Sequence, residues 1–257
     1  ALTLNFIASE LAKAGQTQKA LLIFDKAVNA TGSISDDSEK AKALKDIAVE
    51  LAKAGQTQKA LLIFDKAVNA TGSISDDSKK AKALKDIAVE LAKAGQTQKA
   101  LLIFDKAFNA AGSISDDSKK AEALKDIAVE LAKAGQTQQA LLIFDKAVNA
   151  AGSIYGNYYK AEALKDIAVE LAEAGQFDKA LTVAGSISGD HYKAEEALSD
   201  IASELAKAGQ FNKALTVARS ISNDYYKAEA LRYIAKELAE AGQFDKAINL
   251  INKKTNP

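Results

Sequence analysis

A forty-residue unit repeats along this chain, and that repeat constrains the fold more than any other feature. The segment AKALKDIAVELAKAGQTQKALLIFDKAVNATGSISDDSKK fills positions 41–80 and returns at 81–120 with two changes, Val68 to Phe108 and Thr71 to Ala111. Related copies fill 1–40 and 121–160. The spacing then shortens to 33 residues (161–193) and 34 residues (194–227), and a truncated copy runs from 228 to 257. A unit of this length is one supersecondary element that cannot bury an apolar face alone. Neighbours must stack to share a core, and stability becomes roughly additive along the array. The expectation is a single continuous array over 1–257, with four 40-residue repeats over 1–160 and shorter ones over 161–257. The first repeat starts at Ala1 with no lead-in and the chain has no Met, which is expected of a piece of a longer protein.

Each unit reads as two helices. In the second, Leu44, Ile47, Ala48, Leu51 and Ala52 recur at helical spacing, with charged residues largely between them. Gly55 follows the last periodic residue, where a left-handed glycine ends a helix. A second stripe then runs through Ala60, Leu61, Ile63, Phe64, Ala67 and Val68. Gly72 is read as its stop. The Ser75-Asp76-Asp77-Ser78 cluster supplies N-cap oxygens for the next helix. No period-two alternation occurs, so no strands are expected.

Composition removes several classes of function. With no Cys and one His, no disulfide framework, thiolate nucleophile or zinc site is expected. His191 sits in the turn-like stretch Gly189-Asp190-His191-Tyr192 without a nucleophile to serve, and no phosphate-binding loop appears. The expectation is a protein without catalysis, metal or cofactor. No apolar run reaches the roughly 18 residues of a membrane span. No signal peptide is visible, and a cytoplasmic location is expected. Lys plus Arg and Asp plus Glu each number 34, a balance that disfavours nucleic acid.

Leu44, Ile47, Ala48 and Leu51 on the first helix, Gly55 in the turn, and Ala60, Phe64 and Ala67 on the second resemble the tetratricopeptide family. The resemblance covers the whole chain. It implies an all-α, right-handed α-α solenoid of seven helix-turn-helix repeats, with small Ala48 and Ala60 at the close approach and Phe64 between units. Two departures stand out: the family's proline after the second helix is replaced by Gly72, and the period exceeds the usual 34. The second helices of the short repeats, with Ala184 and Ala218 in place of Phe, are expected to be shorter. The pentatricopeptide family, which binds RNA, is similar in its LAKAG stretch.

The tetratricopeptide resemblance also implies a peptide-gripping concave face made by the first helices. Carried over, its lining is Lys42, Lys45, Val49 and Lys53, then Lys82, Lys85, Val89 and Lys93, then Lys125, Val129 and Lys133. Further on come Glu162, Lys165, Val169 and Glu173, then Glu196, Ser199, Ser203 and Lys207. The second and third units each set seven lysines against five carboxylates, and the fifth sets three against six. The implied partner is therefore a protein or peptide segment, acidic where it meets the early lysines. The competing reading makes these lysines local helix pairs such as Lys42 with Asp46 and Glu50 with Lys53. Leu2 and Phe6 stand where later units carry charges, which suggests a terminal contact, with a neighbouring segment or with another chain by self-association. All seven tyrosines lie after residue 150, and six sit at unit junctions, where they are expected to cap grooves.

Overall fold

The computed structural model describes residues 1–252. Every repeat is a helical hairpin. The pairs are α1 (Leu2–Lys13) with α2 (Thr17–Ala30), α3 (Asp37–Lys53) with α4 (Thr57–Thr71), and α5 (Asp77–Lys93) with α6 (Thr97–Gly112). Then follow α7 (Asp117–Lys133) with α8 (Thr137–Ser153), and α9 (Asn157–Glu173) with α10 (Phe177–Gly185). The last are α11 (His191–Lys207) with α12 (Phe211–Ser220), and α13 (Asp224–Glu240) with α14 (Phe244–Asn252). A short 3-10 turn, Thr31–Ser33, follows α2. No strand occurs among the described residues.

The turn inside each hairpin follows from its glycine. Gly55 has φ +75°, its N–H reaches Ala52 O at 3.0 Å, and the Gln56 N–H reaches Leu51 O at 2.9 Å. These two bonds satisfy the carbonyls that a helix end leaves open. First helices begin as the acidic clusters imply. Asp36 Oδ1 accepts from Glu39 N at 2.9 Å, and Asp76 and Asp116 do the same from Lys79 and Lys119 at 2.8 Å. Two details differ from expectation. His191 is the first residue of α11, N-capped by Asp190, rather than part of a turn. Gly72 does stop α4, which ends at Thr71, with right-handed φ −59°, but the equivalent Gly112 and Gly152 are taken into the last turns of α6 and α8. The chain leaves the second helix where Ile74, Ile114 and Ile154 turn into the core and are buried.

The core of each hairpin is small-on-large. Ala48 and Ala60 are almost fully buried, so the paired helices approach closely, and Phe24, Phe64, Phe104 and Phe144 are the largest side chains buried with them. In the short repeats Ala184 and Ala218 take the Phe position, and α10 and α12 shrink to 9 and 10 residues. Less volume has to be covered, so a shorter second helix suffices.

The chain forms two compact units, 1–115 and 116–257. Within each, first helices pack directly on first helices: α1, α3 and α5 in one unit, α7, α9, α11 and α13 in the other. Second helices are tied at longer range by lysine side chains. Lys99 reaches Asp65 at 2.8 Å, and Lys179 reaches Asp145 at 2.7 Å. In each unit the first helices therefore form the tighter row.

Candidate partner-binding surface

In the first unit the charged faces of α3 and α5 enclose a groove of 400 Å³. Lys42 and Lys45 line it from α3; Lys79, Lys82 and Asp86 line it from α5. Asp36 and Glu39 line it too, and Ala41, Ala83 and Ile87 contribute apolar surface. Three of the sequence-predicted lysines thus meet in one groove, and Lys79, missed by the helix-face argument, joins them from the first turn of α5. Its signal was the loop-to-helix boundary itself, because the cap at Asp76 sets where that first turn points.

The lysines differ in freedom. Lys45 lays its stem along the surface, with a side chain only 19% exposed, and its ammonium sits 3.0 Å from Asp46 Oδ1. Lys85 makes the same contact to Asp86 at 3.6 Å. Lys53 and Lys93, at the helix ends, pair with Glu50 and Glu90 at 2.7 and 2.8 Å. The local Glu50–Lys53 pair is therefore present. The expected Lys42–Asp46 pair is not: the adjacent Lys45 takes Asp46, and Lys42 and Lys82 stay exposed without an ion pair. Val49 and Val89 are half-buried on the same helices, outside the groove lining.

Leu2 and Phe6 are 65% and 66% exposed on α1. They occupy the register of Lys42 and Asp46, so an apolar patch continues the face that carries the lysines. Beneath it, Asn5 is buried and its Oδ1 has no partner. Ser9 donates to the Glu50 carboxylate. Burial pushes Glu50 up, but hydrogen bonds from Lys53 and Ser9 outweigh it and hold the carboxyl below its usual range.

The second unit carries the opposite balance. Lys125 lies 3.8 Å from Asp126, and Lys133 pairs with Glu130 at 3.0 Å. Val129, Lys133, Glu170 and Glu173 share a smaller groove of 300 Å³. Burial, reinforced by Glu173, raises the Glu170 carboxyl. Lys165 is committed to Glu162, Asp166 and Glu196 at 3.1, 3.4 and 3.3 Å. Lys193 completes that network, 2.7 Å from Glu162 and 3.1 Å from Glu196. A further cleft of 610 Å³ beside α12 and α14 contains none of the residues singled out from sequence.

Five of the seven tyrosines are exposed, Tyr155 to 98%, while Tyr226 and Tyr233 are half-buried. Tyr158 and Tyr159 meet edge to face at 5.5 Å, as do Tyr225 and Tyr226 at 5.3 Å. Lys193 lies 5.9 Å from the Tyr158 ring centre. Among the described residues no group of three or more His, Asp or Glu is placed to hold a metal ion, and no helix is long and apolar enough to cross a membrane.

Paired antiparallel helices, a left-handed glycine in each hairpin and first helices stacked on first helices define a tetratricopeptide-like α-solenoid. The chain is similar in structure to Ton1535 from Thermococcus onnurineus NA1, with a TM-score of 0.50, 19% identity, and 99% of this chain and 96% of that one covered. A putative kinesin light chain with nearly identical TPR-like repeats, from Podosopora anserina, aligns at a TM-score of 0.43 and 12% identity over 86% of this chain and 95% of that chain. Aspartyl phosphate phosphatase F from Bacillus subtilis aligns at 0.44 and 17% over 97% of this chain and 68% of that chain. These likenesses concern the fold. No family model and no curated protein matches the chain.

Proposed function

We propose that this protein is a non-catalytic interaction scaffold, and that the first-helix face of unit 1–115 binds an acidic peptide segment. The groove between α3 and α5 carries the reading: it gathers Lys42, Lys45, Lys79 and Lys82 around apolar Ala41, Ala83 and Ile87. Lysine supplies a point charge on a flexible stem, suited to carboxylates of varied geometry. Lys42 and Lys82 have no internal partner to give up. Binding to them therefore gains an ion pair without breaking one. The exposed Leu2 and Phe6 add an apolar contact on the same face. Val49, Val89, Lys53, Lys85 and Lys93 flank the groove, and Val129, Lys125, Lys133 and Lys165 extend the pattern into the second unit with more of its charge already paired.

The test is a titration of a fluorescent ten-residue peptide of alternating Glu and Ala at low and moderate salt. The double variant Lys42→Glu/Lys82→Glu is expected to bind at least tenfold more weakly, with unchanged helicity. Unaltered affinity would remove this groove as the site.

Self-association is the second reading, favoured by the exposure of Leu2 and Phe6 and of Phe244 and Ile248 on α14. Light scattering across a concentration series separates the two: a constant monomer mass excludes it. Nucleic acid is disfavoured by the even balance of 34 basic and 34 acidic residues and by Glu196 and Glu229 beside Tyr226, which repel phosphate.

A further inference from the structure

The position held by Lys45, Lys85, Lys125 and Lys165 in four successive repeats is Ser199 in the sixth. In those four repeats the lysine ammonium neutralises the aspartate of the next residue, at 3.0, 3.6, 3.8 and 3.4 Å. The aspartate persists in the sixth as Asp200, but its lysine is gone. No cation among the described residues forms an ion pair in its place. Among the described residues Asp200 makes neither an ion pair nor a hydrogen bond, and Ser199, only 4% exposed, makes no side-chain hydrogen bond.

The surroundings sharpen the imbalance. Glu196 and Glu204 stand on the same helix and Glu229 on α13, all negative toward Asp200. Among the described residues Lys165 on α9 is the cation that acts most on it, and three other carboxylates already hold that ammonium. Glu204 and Glu229 have cations of their own, Lys207 and Arg232. Burial, then Glu196, push the Asp200 carboxyl up to about 6. A half-buried carboxylate lacking its counter-ion beside an unpartnered hydroxyl is half of an ion-pair site.

We propose that a lysine side chain from a partner peptide enters beside Asp200, with its ammonium bonded to the Asp200 carboxylate and the Ser199 hydroxyl. The place it takes is the one an internal lysine occupies elsewhere in the array. The partner chemistry follows from that register: a slender four-carbon stem ending in a compact ammonium is what this helix position accommodates in Lys45, whose side chain is 19% exposed. The site lies wholly within unit 116–257 and is independent of the acidic-segment reading for the other unit.

The test uses the full chain and a fluorescent ten-residue peptide of alternating Lys and Ala, with a glutamine-for-lysine peptide as control. The wild-type protein is expected to bind the lysine peptide and not the control. Asp200→Asn and Ser199→Lys are each expected to lower affinity at least tenfold. Ser199→Lys installs the lysine found in four other repeats and fills the site; circular dichroism and melting establish that its fold is kept, and Asp200→Asn carries the test if it is not. Glu240→Gln, which removes the same charge elsewhere in the unit, is expected to stay within twofold. Lowering the pH from 7.5 to 5 is expected to weaken binding as Asp200 protonates. No binding by the wild type, unchanged affinity in both site variants, or equal weakening by Glu240→Gln would overturn the proposal.

Discussion

Lys193 Nζ lies 2.7 Å from Glu162 Oε2, joining the first helices of two consecutive short repeats. The contact sits in a four-membered network with Lys165 and Glu196, where each lysine touches both glutamates. It ties α9 to α11 where Ala184 has replaced the phenylalanine of the longer repeats. A hydrogen bond from Lys193 holds the Glu162 carboxyl below its usual range, against the opposing effect of burial. The same bond raises Lys193.

Glu162→Gln should destabilise the protein by about 1 kcal/mol at neutral pH, as expected for a networked but partly solvated ion pair. The glutamate's share is complete above its ordinary 4.5 and is lost as pH falls through the lowered native value. The lysine's share is complete below its ordinary 10.5 and is lost as pH rises through the raised native value. Urea midpoints at pH 7 and pH 3 check this: the gap between wild type and variant should be narrower at the second.

Asp200 works in the other direction. Its carboxyl titrates higher in the folded chain, about 6 against 3.8, so the folded state holds the proton more tightly. Stability is then reduced as pH rises from 3.8 to 6, and the penalty is complete above that window. Asp200→Asn should stabilise by about 1 kcal/mol at pH 7.5, allowing for solvent screening of a half-buried group, with no gain at pH 3.5. Paired denaturation curves at the two values decide it; a gain of equal size at both would reject the assignment.

Two glycines separate backbone strain from crowding. Nothing lies within 4 Å of a Cβ built on either Gly95 or Gly112, but Gly95 has φ +75° and Gly112 is helical. Gly95→Ala should therefore destabilise by about 1 kcal/mol, and Gly95→Val by more. Gly112→Ala should stabilise by about 0.5 kcal/mol. Melting temperatures moving in opposite directions would establish the difference; parallel shifts would refute it.

Phe64 is 1% exposed. Phe64→Ala should destabilise by about 3–5 kcal/mol, since surrounding helices cannot collapse fully into the space. The natural alanines at 184 and 218 belong to shorter second helices, so that comparison is not of equal cavities. A loss under 1 kcal/mol in calorimetry would mean that neighbouring repeats close the gap.

The helices, their glycine turns and the buried phenylalanines were legible from sequence because each depends on residues close in the chain. Gly55 and Asp76 act within one turn of a helix end, and Ala48 and Phe64 fall on faces defined by helical spacing. Gly72 ends α4 as its residue type suggests, but α6 and α8 take in the equivalent Gly112 and Gly152, and the burial of Ile74 at the exit is a tertiary effect. Pairing was harder. Spacing favoured Lys42 with Asp46, yet Lys45 reaches Asp46 by bending its long stem over the adjacent residue. The Ser9–Glu50 bond spans 41 residues and the Lys193–Glu162 contact spans two repeats, so no local pattern announces either. Ser199 did stand among the candidate lining residues, but its significance needed the observation that Asp200 makes no ion pair among the described residues.

Charge reversal on the α3–α5 groove is the most direct measurement of the central claim. Fluorescence anisotropy would compare Glu/Ala and Lys/Ala peptides against the wild-type protein and Lys42→Glu/Lys82→Glu, each also carrying Ser199→Lys to silence the second site. The account predicts that the background protein prefers the Glu/Ala peptide and that the reversed groove loses that preference by at least tenfold. Equal affinity of both proteins for the acidic peptide would contradict it.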